Sequence, residues 1–546
     1  MTQEKTIDPK APSPGGRTAT ADGLILPITG LGVWNLYFLA KFGLAWAGYL
    51  NLLPLWNALF IAALLIPLRS GILRFLRGAA GIVCAFMLLW SESWLPGIES
   101  ITANAGNIVG FSWNYILELA LDFINWQMVG CGALGIILYV LLRNTIRITF
   151  VTLCCFIGMT VTPVVDAFFA KDAGEDNSIV AAADGGAAGG KNQAVSDSKT
   201  VKEWYEAFLA YEKERRAEFP TGIPEKDTPF DILLLNICSL SNDDLAASQL
   251  ENHPLFSRFN IRFDNFNSAT SYSGPAALRL LTGACGQPSH NALYGERRTE
   301  CETLNRLGAL GFSQHVMMDH TGEYDDFLQV LRDKTGLSAP LESKGQPIPI
   351  RYMGFDDEEL ADTLALLRFW QRTTARAKEK RSVTFMNLIS LHDGNRLPRH
   401  GRSEAFKPRA QRMFDDINTF IRELERTRRR VMIVFVPEHG AAVRGDRIQA
   451  PRLRDIPTLR ITEVPTMVKF VGVRGLPEQP IHVTGDSSYL ALTSLIGRTI
   501  EKNFFSKSGG AVQLEELVQN LPETHRVSEN GQAKILELKD VEYLRR

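Results

Sequence analysis

The sequence is short of net charge. Its 59 lysines and arginines face 60 aspartates and glutamates, which leaves −1 over 546 residues. So even a balance gives no bulk attraction to a polyanion, and no basic stripe with interleaved aromatics runs along the chain; nucleic acid is set aside as a partner. No internal repeat is present, which sets aside a repeat array. Cysteine is scarce, at seven, and four of these (Cys84, Cys131, Cys154 and Cys155) fall in apolar runs, where a thiol is simply a small lipid-buried side chain. Charge is thin across residues 24–168, which are dominated by apolar runs. Most of it lies in 200–546, which reads as globular. The chain is too long for one ordinary domain.

The apolar region resolves into about five spans, near 31–50, 52–68, 78–95, 127–142 and 148–168. A helix needs roughly 20 apolar residues to cross a bilayer. Lys5, Lys10 and Arg17 precede the first span. Arg69, Arg74 and Arg77 lie in the second connection, and Arg143 and Arg147 in the fourth. The first and third connections lack basic residues, and the third carries Glu99 and Glu118. This bias places the N-terminus in the cytoplasm and, with five spans, the C-terminal domain on the far side. A polar stretch before the first span argues against a cleavable signal peptide. Lys41 and Asp166 interrupt the spans; snorkelling to the interface is the plain reading and lipid handling the sharper one. The stretch 108–125 reads as an amphipathic helix at the interface.

Four regions follow: a disordered cytoplasmic N-terminus (1–23), a transmembrane region of about five helices (24–170), a linker with an amphipathic helix (171–225), and an exported α/β domain (226–546). The linker is rich in Ala, Gly, Asp and Ser and reads as flexible. Trp204, Phe208 and Tyr211 mark the amphipathic helix, which rests on protein or on the membrane. In the exported domain Cys285 and Cys301 flank a short polar loop. An oxidising compartment lets them pair, and closing that loop adds roughly 3 kcal/mol in the chain-entropy picture. Cys238 is left as the odd thiol.

From about 226, apolar β-rich runs recur at Ile232–Ile237, Gln314–Met318, Thr384–Ile389, Val431–Val436 and Thr466–Val471. Helical patterns lie between them, most clearly Pro408–Arg426. Covered strands alternating with helices predict a mostly parallel sheet flanked by helices. In such sheets the site gathers at the carboxyl ends of the strands. Cys238 follows one strand, His392 and Asp393 a second, Glu438 and His439 a third.

Ser271-Tyr272-Ser273-Gly274-Pro275 opens a helix, because Pro275 suits a first turn. Ser273 at that position is either an N-cap or a nucleophile. Free backbone N–H groups there would hold a phosphoryl oxygen, and a metal would acidify the hydroxyl. Val436-Pro437-Glu438-His439-Gly440 runs a buried strand into an acid, a base and a glycine, a pattern that favours metal ligation over a capped turn. Cys238 reads as a thiolate ligand or as a small buried residue at a strand end.

This order of strand-end ligand, hydroxyl at a helix start, and acid-His-Gly after a late strand resembles the alkaline phosphatase/sulfatase superfamily and its membrane-bound phosphoethanolamine transferase branch. The usual acidic first ligand and Asp-His-Gly are replaced here by Cys238 and Glu438. Those departures, with Ser-Tyr-Ser-Gly-Pro at 271–275, Cys-Gly-Gln at 285–287, Leu-His-Asp-Gly-Asn at 391–395, Pro-Glu-His-Gly at 437–440 and Arg-Asp-Ile-Pro at 454–457, are similar to the cellulose phosphoethanolamine transferases over nearly the whole chain. The resemblance implies a zinc enzyme of the bacterial inner membrane with a periplasmic catalytic domain of alkaline phosphatase-like fold. It implies phosphatidylethanolamine as donor, the glucosyl 6-hydroxyl of cellulose as acceptor, and cellulose synthase complex subunits as neighbours. Carried over by position, Ser273 is the nucleophile; Cys238, Ser273, Glu438 and His439 hold zinc; Tyr272, His392 and Arg454 stand on the substrate side. Arg454 offers a fork for phosphate oxygens, and His392 a proton donor or acceptor. His392 on its own residues reads equally as a structural histidine. Arg444, Asp446 and Arg447 read as a solvated loop.

Two other readings compete. One is transfer of another lipid headgroup, such as glycerol phosphate, or transfer to a lipid A-type acceptor. The other is a scaffold for a cellulose export complex with incidental site residues. Loss of Cys238 separates them, since a catalyst loses metal and activity while a scaffold keeps its assembly role.

Overall fold

The computed structural model describes residues 30–92, 112–117, 126–170, 198–531 and 533–545, apart from short gaps within them. The expected N-terminal disorder and the flexible linker lie outside the described residues. The chain forms two compact units, one of residues 1–95 and 127–170, the other of 96–126 and 171–546.

In the smaller unit five apolar helices run over Trp34–Trp46 (α1), Pro54–Leu65 (α2), Gly71–Glu92 (α3), Trp126–Leu142 (α4) and Ile148–Ala170 (α5). Among the described residues α3 is the one helix long and apolar enough, by length and composition, to cross a membrane. Phe38, Phe42, Ile61 and Leu64 form the packed centre of this unit. Lys41 does not snorkel. It is 2% exposed, its Nζ lies 2.5 Å from Glu92 Oε2 and donates to Asn57 Oδ1 at 2.6 Å. The reason is distance along the chain: Glu92 closes α3, and a local reading of α1 cannot see it.

The larger unit is an α/β domain. Its strands are Asp231–Cys238 (β1), Ile261–Phe263 (β2), Ser313–Met318 (β3), Ile350–Met353 (β4), Glu359–Ala361 (β5), Ser382–Leu388 (β6), Val431–His439 (β7), Thr466–Val471 (β8), Ile481–Val483 (β9), Val527–Asn530 (β10), Ala533–Leu538 (β11) and Val541–Arg545 (β12). Seven form one sheet in the order β3-β6-β1-β7-β8-β2-β9. The strands from β3 to β7 pair in parallel, and β8 runs antiparallel to both β7 and β2. Strand β1 shows why the run is continuously apolar. Ile232 and Leu234 enter the core on one face, Leu233, Leu235 and Ile237 the core on the other. A strand covered on both faces has no solvated side to alternate with.

Helices cover both faces. Ser198–Glu214 (α6) packs Val201, Tyr205 and Phe208 on Val527 and Leu536 of the small β10–β12 sheet, so the amphipathic helix rests on protein. Asn242–Ser248 (α7) and Ser273–Leu281 (α8) follow β1 and β2. Phe406–Glu425 (α9) buries Ala410, Met413, Phe414, Ile417, Phe420, Ile421 and Leu424 at helical spacing. Residues 112–117 belong to this larger unit, although they precede the linker.

Candidate active site

Two central strands end at one place. Cys238 is the last residue of β1, and Glu438 and His439 are the last two of β7. They stand inside the strands rather than after them, and are 0%, 0% and 1% exposed. Gly440 is required by close approach: a Cβ there would lie 2.6 Å from Ser241 Oγ and 3.0 Å from Asp244 Oδ2. Asp244 in turn accepts from the Ala441 and Val443 amides at 2.6 and 3.1 Å, clasping the β7 loop to α7.

One ligand atom each from Cys238, Glu438 and His439 falls within 4.8 Å of the others. Ser273 is the first residue of α8; the N-cap is Tyr272, which makes no side-chain cap. The hydroxyl is therefore not spent on capping the helix. Ser273 Oγ donates to Cys238 Sγ at 3.2 Å and lies 3.2 Å from His439 Nε2. His439 Nδ1 is 2.9 Å from the Gly440 carbonyl. A carbonyl only accepts, so Nδ1 carries the proton and Nε2 turns its lone pair toward the sulfur and hydroxyl.

Burial pushes this group away from charge. It raises the Cys238 thiol to about 12, with the Glu438 carboxylate adding to the rise. It raises Glu438 to about 7 against the pull of Ser273, Asn387 and Cys238. It holds His439 well below its usual range, helped by Arg454. Glu438 Oε2 makes no hydrogen bond to the protein. A buried thiol, carboxyl and imidazole lone pair facing one point, with one carboxylate oxygen unbonded, suit a bound cation, whose charge reverses the cost of ionising the thiol and acid.

Arg454 and His392 adjoin this centre. Arg454 Nη1 donates to Ser239 Oγ at 3.0 Å and lies 3.5 Å from His439 Nδ1. Its charge, after burial, is the next cause holding His392 down to about 3. His392 Nδ1 is 2.7 Å from the Asp393 carbonyl, which leaves Nε2 as an acceptor. Tyr272 turns its hydroxyl to Asp455 Oδ1 at 2.7 Å. Cys285 and Cys301 are bonded, with Cα atoms 5.0 Å apart. Arg444 forms an ion pair with Asp243, and Arg447 lies outside the described residues.

Family models match both regions: Cellulose biosynthesis protein BcsG C-terminal domain over residues 186–546 and the BcsG N-terminal domain over 34–161. The chain belongs to the BcsG family. It is 40% identical to the Cellulose biosynthesis protein BcsG of Salmonella typhimurium over 532 residues, covering 94% of this chain and 95% of that one. The protein of that name from Escherichia coli K12 is 40% identical over 533 residues with the same coverage. Among solved structures, the lipooligosaccharide phosphoethanolamine transferase A of Neisseria meningitidis aligns at 10% identity and a TM-score of 0.40, over 90% of this chain and 99% of that one.

Sequence reasoning missed the residues beneath the carboxylate. Asn387 of β6 donates to Glu438 Oε1 at 2.6 Å and to Asn236 Oδ1 at 2.8 Å. His320 Nε2 lies 2.8 Å from Asn387 Oδ1, while its Nδ1 accepts from the Gly322 amide at 3.1 Å. The imidazole thus sets which way the amide faces, and the amide sets the carboxylate. The signal was present: Asn236 and Asn387 are polar breaks in apolar strands, register partners in the sheet, and buried polar side chains require partners.

Proposed function

We propose that the chain transfers phosphoethanolamine from phosphatidylethanolamine to the glucosyl 6-hydroxyl of cellulose through a covalent phospho-serine at Ser273. The observation that carries this reading is the Ser273 hydroxyl, 3.2 Å from both Cys238 Sγ and His439 Nε2 at the mouth of a buried donor set. Thiolate, imidazole and carboxylate together favour zinc over magnesium or calcium, so Cys238, Glu438 and His439, with Ser273, would hold Zn²⁺. When bound, the ion supplies positive charge that acidifies the Ser273 hydroxyl and offsets charge on the phosphoryl oxygens.

The chain's own residues do the rest. The backbone N–H groups at the start of α8 face the phosphoryl oxygens. Arg454 adds a guanidinium fork. Ser273 Oγ forms the bond to phosphorus as the bond to the diacylglycerol oxygen breaks, and the serine proton leaves on that oxygen. A glucosyl hydroxyl then attacks the same phosphorus, its proton passing to Ser273 Oγ as that bond breaks. His392, neutral at pH 7, carries that proton across on Nε2. Family membership and the apolar helices support a membrane enzyme of cellulose biosynthesis, with its catalytic unit in the periplasm beside synthase subunits.

The test is Ser273→Ala in the full chain, given phosphatidylethanolamine and cellulose. Transfer falls to background while folding persists, and intact mass spectrometry of the wild type with donor alone finds phosphoethanolamine on Ser273. Substantial transfer by the alanine variant would remove Ser273 from the mechanism. Headgroup analysis of the polymer separates phosphoethanolamine from glycerol phosphate.

A further inference from the structure

The loop that carries His392 is held from two sides. Beneath it, Asp319 accepts from the Ile389 amide at 2.9 Å and from Ser390 Oγ at 2.7 Å. Asn395 Nδ2 donates to the Ile389 carbonyl at 2.7 Å, and Arg409 to the His392 carbonyl. These clamps come from the residue after β3, from the loop itself and from α9 behind it. They fix the backbone and Ser390, and none of them bonds the His392 ring or the Asp393 carboxylate.

The cover comes from residues 112–117, more than a hundred positions before the first strand of the sheet. The Ser112 amide donates to the Phe355 carbonyl at 3.0 Å. Phe355 lies over the His392 ring, centroids 4.2 Å apart. Tyr115 is 7% exposed. Its ring meets Phe355 at 6.3 Å, and its hydroxyl donates to Asp393 Oδ2 at 3.1 Å. Gly394 is shaped to this contact: at φ +86°, a Cβ there would lie 2.8 Å from Tyr115 Cε2 and 2.7 Å from Phe355 Cβ. Asp393 Oδ1 faces Arg452 Nε at 3.7 Å, so the Tyr115 hydroxyl and Arg452 divide the carboxylate between them.

We infer that Tyr115, from the segment between the third and fourth apolar helices, is a positioning residue for the proposed reaction: it sets the Asp393 carboxylate and, through Phe355, the plane of the His392 imidazole. The catalytic unit is therefore discontinuous in sequence, completed by a turn borrowed from the apolar third of the chain. The inference rests on the transferase reading for its kinetic readout but not for its structural one.

Two variants of the full chain test it. Tyr115→Phe keeps the ring on Phe355 and Gly394 and deletes the hydrogen bond; Tyr115→Ala removes both. A misplacement of about 1 Å at a reacting group can cost roughly 100-fold in rate, and loss of one hydrogen bond that holds it is expected to cost less. Tyr115→Phe is expected to lower kcat about tenfold with the KM for phosphatidylethanolamine and the metal content unchanged, and Tyr115→Ala to lower it further. Hydrogen exchange of residues 389–396 speeds up in Tyr115→Ala whether or not the wild type transfers phosphoethanolamine, which separates failure of this inference from failure of the reaction. Wild-type kcat in Tyr115→Phe, or unchanged exchange in Tyr115→Ala, overturns it. So does a loss of kcat that merely tracks a fallen melting temperature in both variants.

Discussion

The two units bury charge in opposite ways. In the smaller unit Lys41 and Glu92 face each other at 2.5 Å, with Asn57 bonded to both. Cation, anion and amide are closed on themselves. In the larger unit Cys238, Glu438 and His439 are as deeply buried, yet among the described residues Glu438 makes no ion pair and its Oε2, unlike Glu92 Oε2, faces no lysine. A buried group without compensation costs several kcal/mol and persists where something outside the chain completes it. The first cluster is architecture. The second has the make-up of a cation site.

The comparison breaks most visibly at Cys238. Cys238→Ala in the full chain is expected to lose bound zinc and to cut transfer more than the roughly 10–100-fold attached to outer partners. Metal analysis beside the rate checks it; full zinc in the variant would return Cys238 to the role of a small core residue. The smaller unit should respond in stability instead. Lys41→Met leaves Glu92 buried and unpaired and should cost about 3–5 kcal/mol. Lys41→Met with Glu92→Leu should recover most of that, and transfer per folded molecule should stay unchanged throughout. Melting of the detergent-solubilised chain reads the first effect, and specific activity the second. A double variant no more stable than the single one would show that the pair is not self-contained.

A finer cut lies beneath the site. Asn387→Leu removes the donor to Glu438 Oε1 and should weaken zinc roughly 10–100-fold while leaving Ser273 in place. Competition against a chelator measures it, and unchanged affinity would make Asn387 a core contact only. His320→Gln should do less, because its effect passes through the amide.

Much of this was legible in the sequence for one reason: strands covered on both faces are written as unbroken apolar runs, and what stands at their ends is polar for a purpose. That rule located β1, β3, β6, β7 and β8 and the residues Cys238, Glu438, His439 and His392. It could not show that β8 runs against its neighbours, because direction leaves no mark in composition. It placed Glu438 and His439 just past a strand that in fact contains them, because the apolar run stops at Val436 while the strand pairing continues. The Lys41–Glu92 pair, the Asn387 relay and Tyr115 share another property. Each joins segments far apart in sequence, and periodicity reports only on neighbours.

His315 offers the gentlest test of the contrast, because it is a self-closed cluster inside the larger unit. Its Nδ1 and Nε2 lie 2.5 Å from Glu342 and 2.9 Å from Glu379. The hydrogen bond His315 donates to Glu342, opposed by burial and then joined by the one to Glu379, lifts the imidazole to about 9. Folding therefore holds a proton that the unfolded chain, titrating near 6.5, releases. The stabilisation is complete below about pH 6.5 and is lost as pH rises through about 9. Glu379 is partly open to solvent, which screens the pair, so the loss across that window should be about 1–2 kcal/mol. His315→Gln cannot hold the proton. The stability gap between wild type and variant should accordingly narrow from pH 6 to pH 9.5, and taking the difference between the two cancels the titration of the metal-site residues. A gap that stays constant with pH would mean that the imidazole is neutral between its two carboxylates, and that this cluster, unlike Lys41 and Glu92, is held by hydrogen bonding rather than charge.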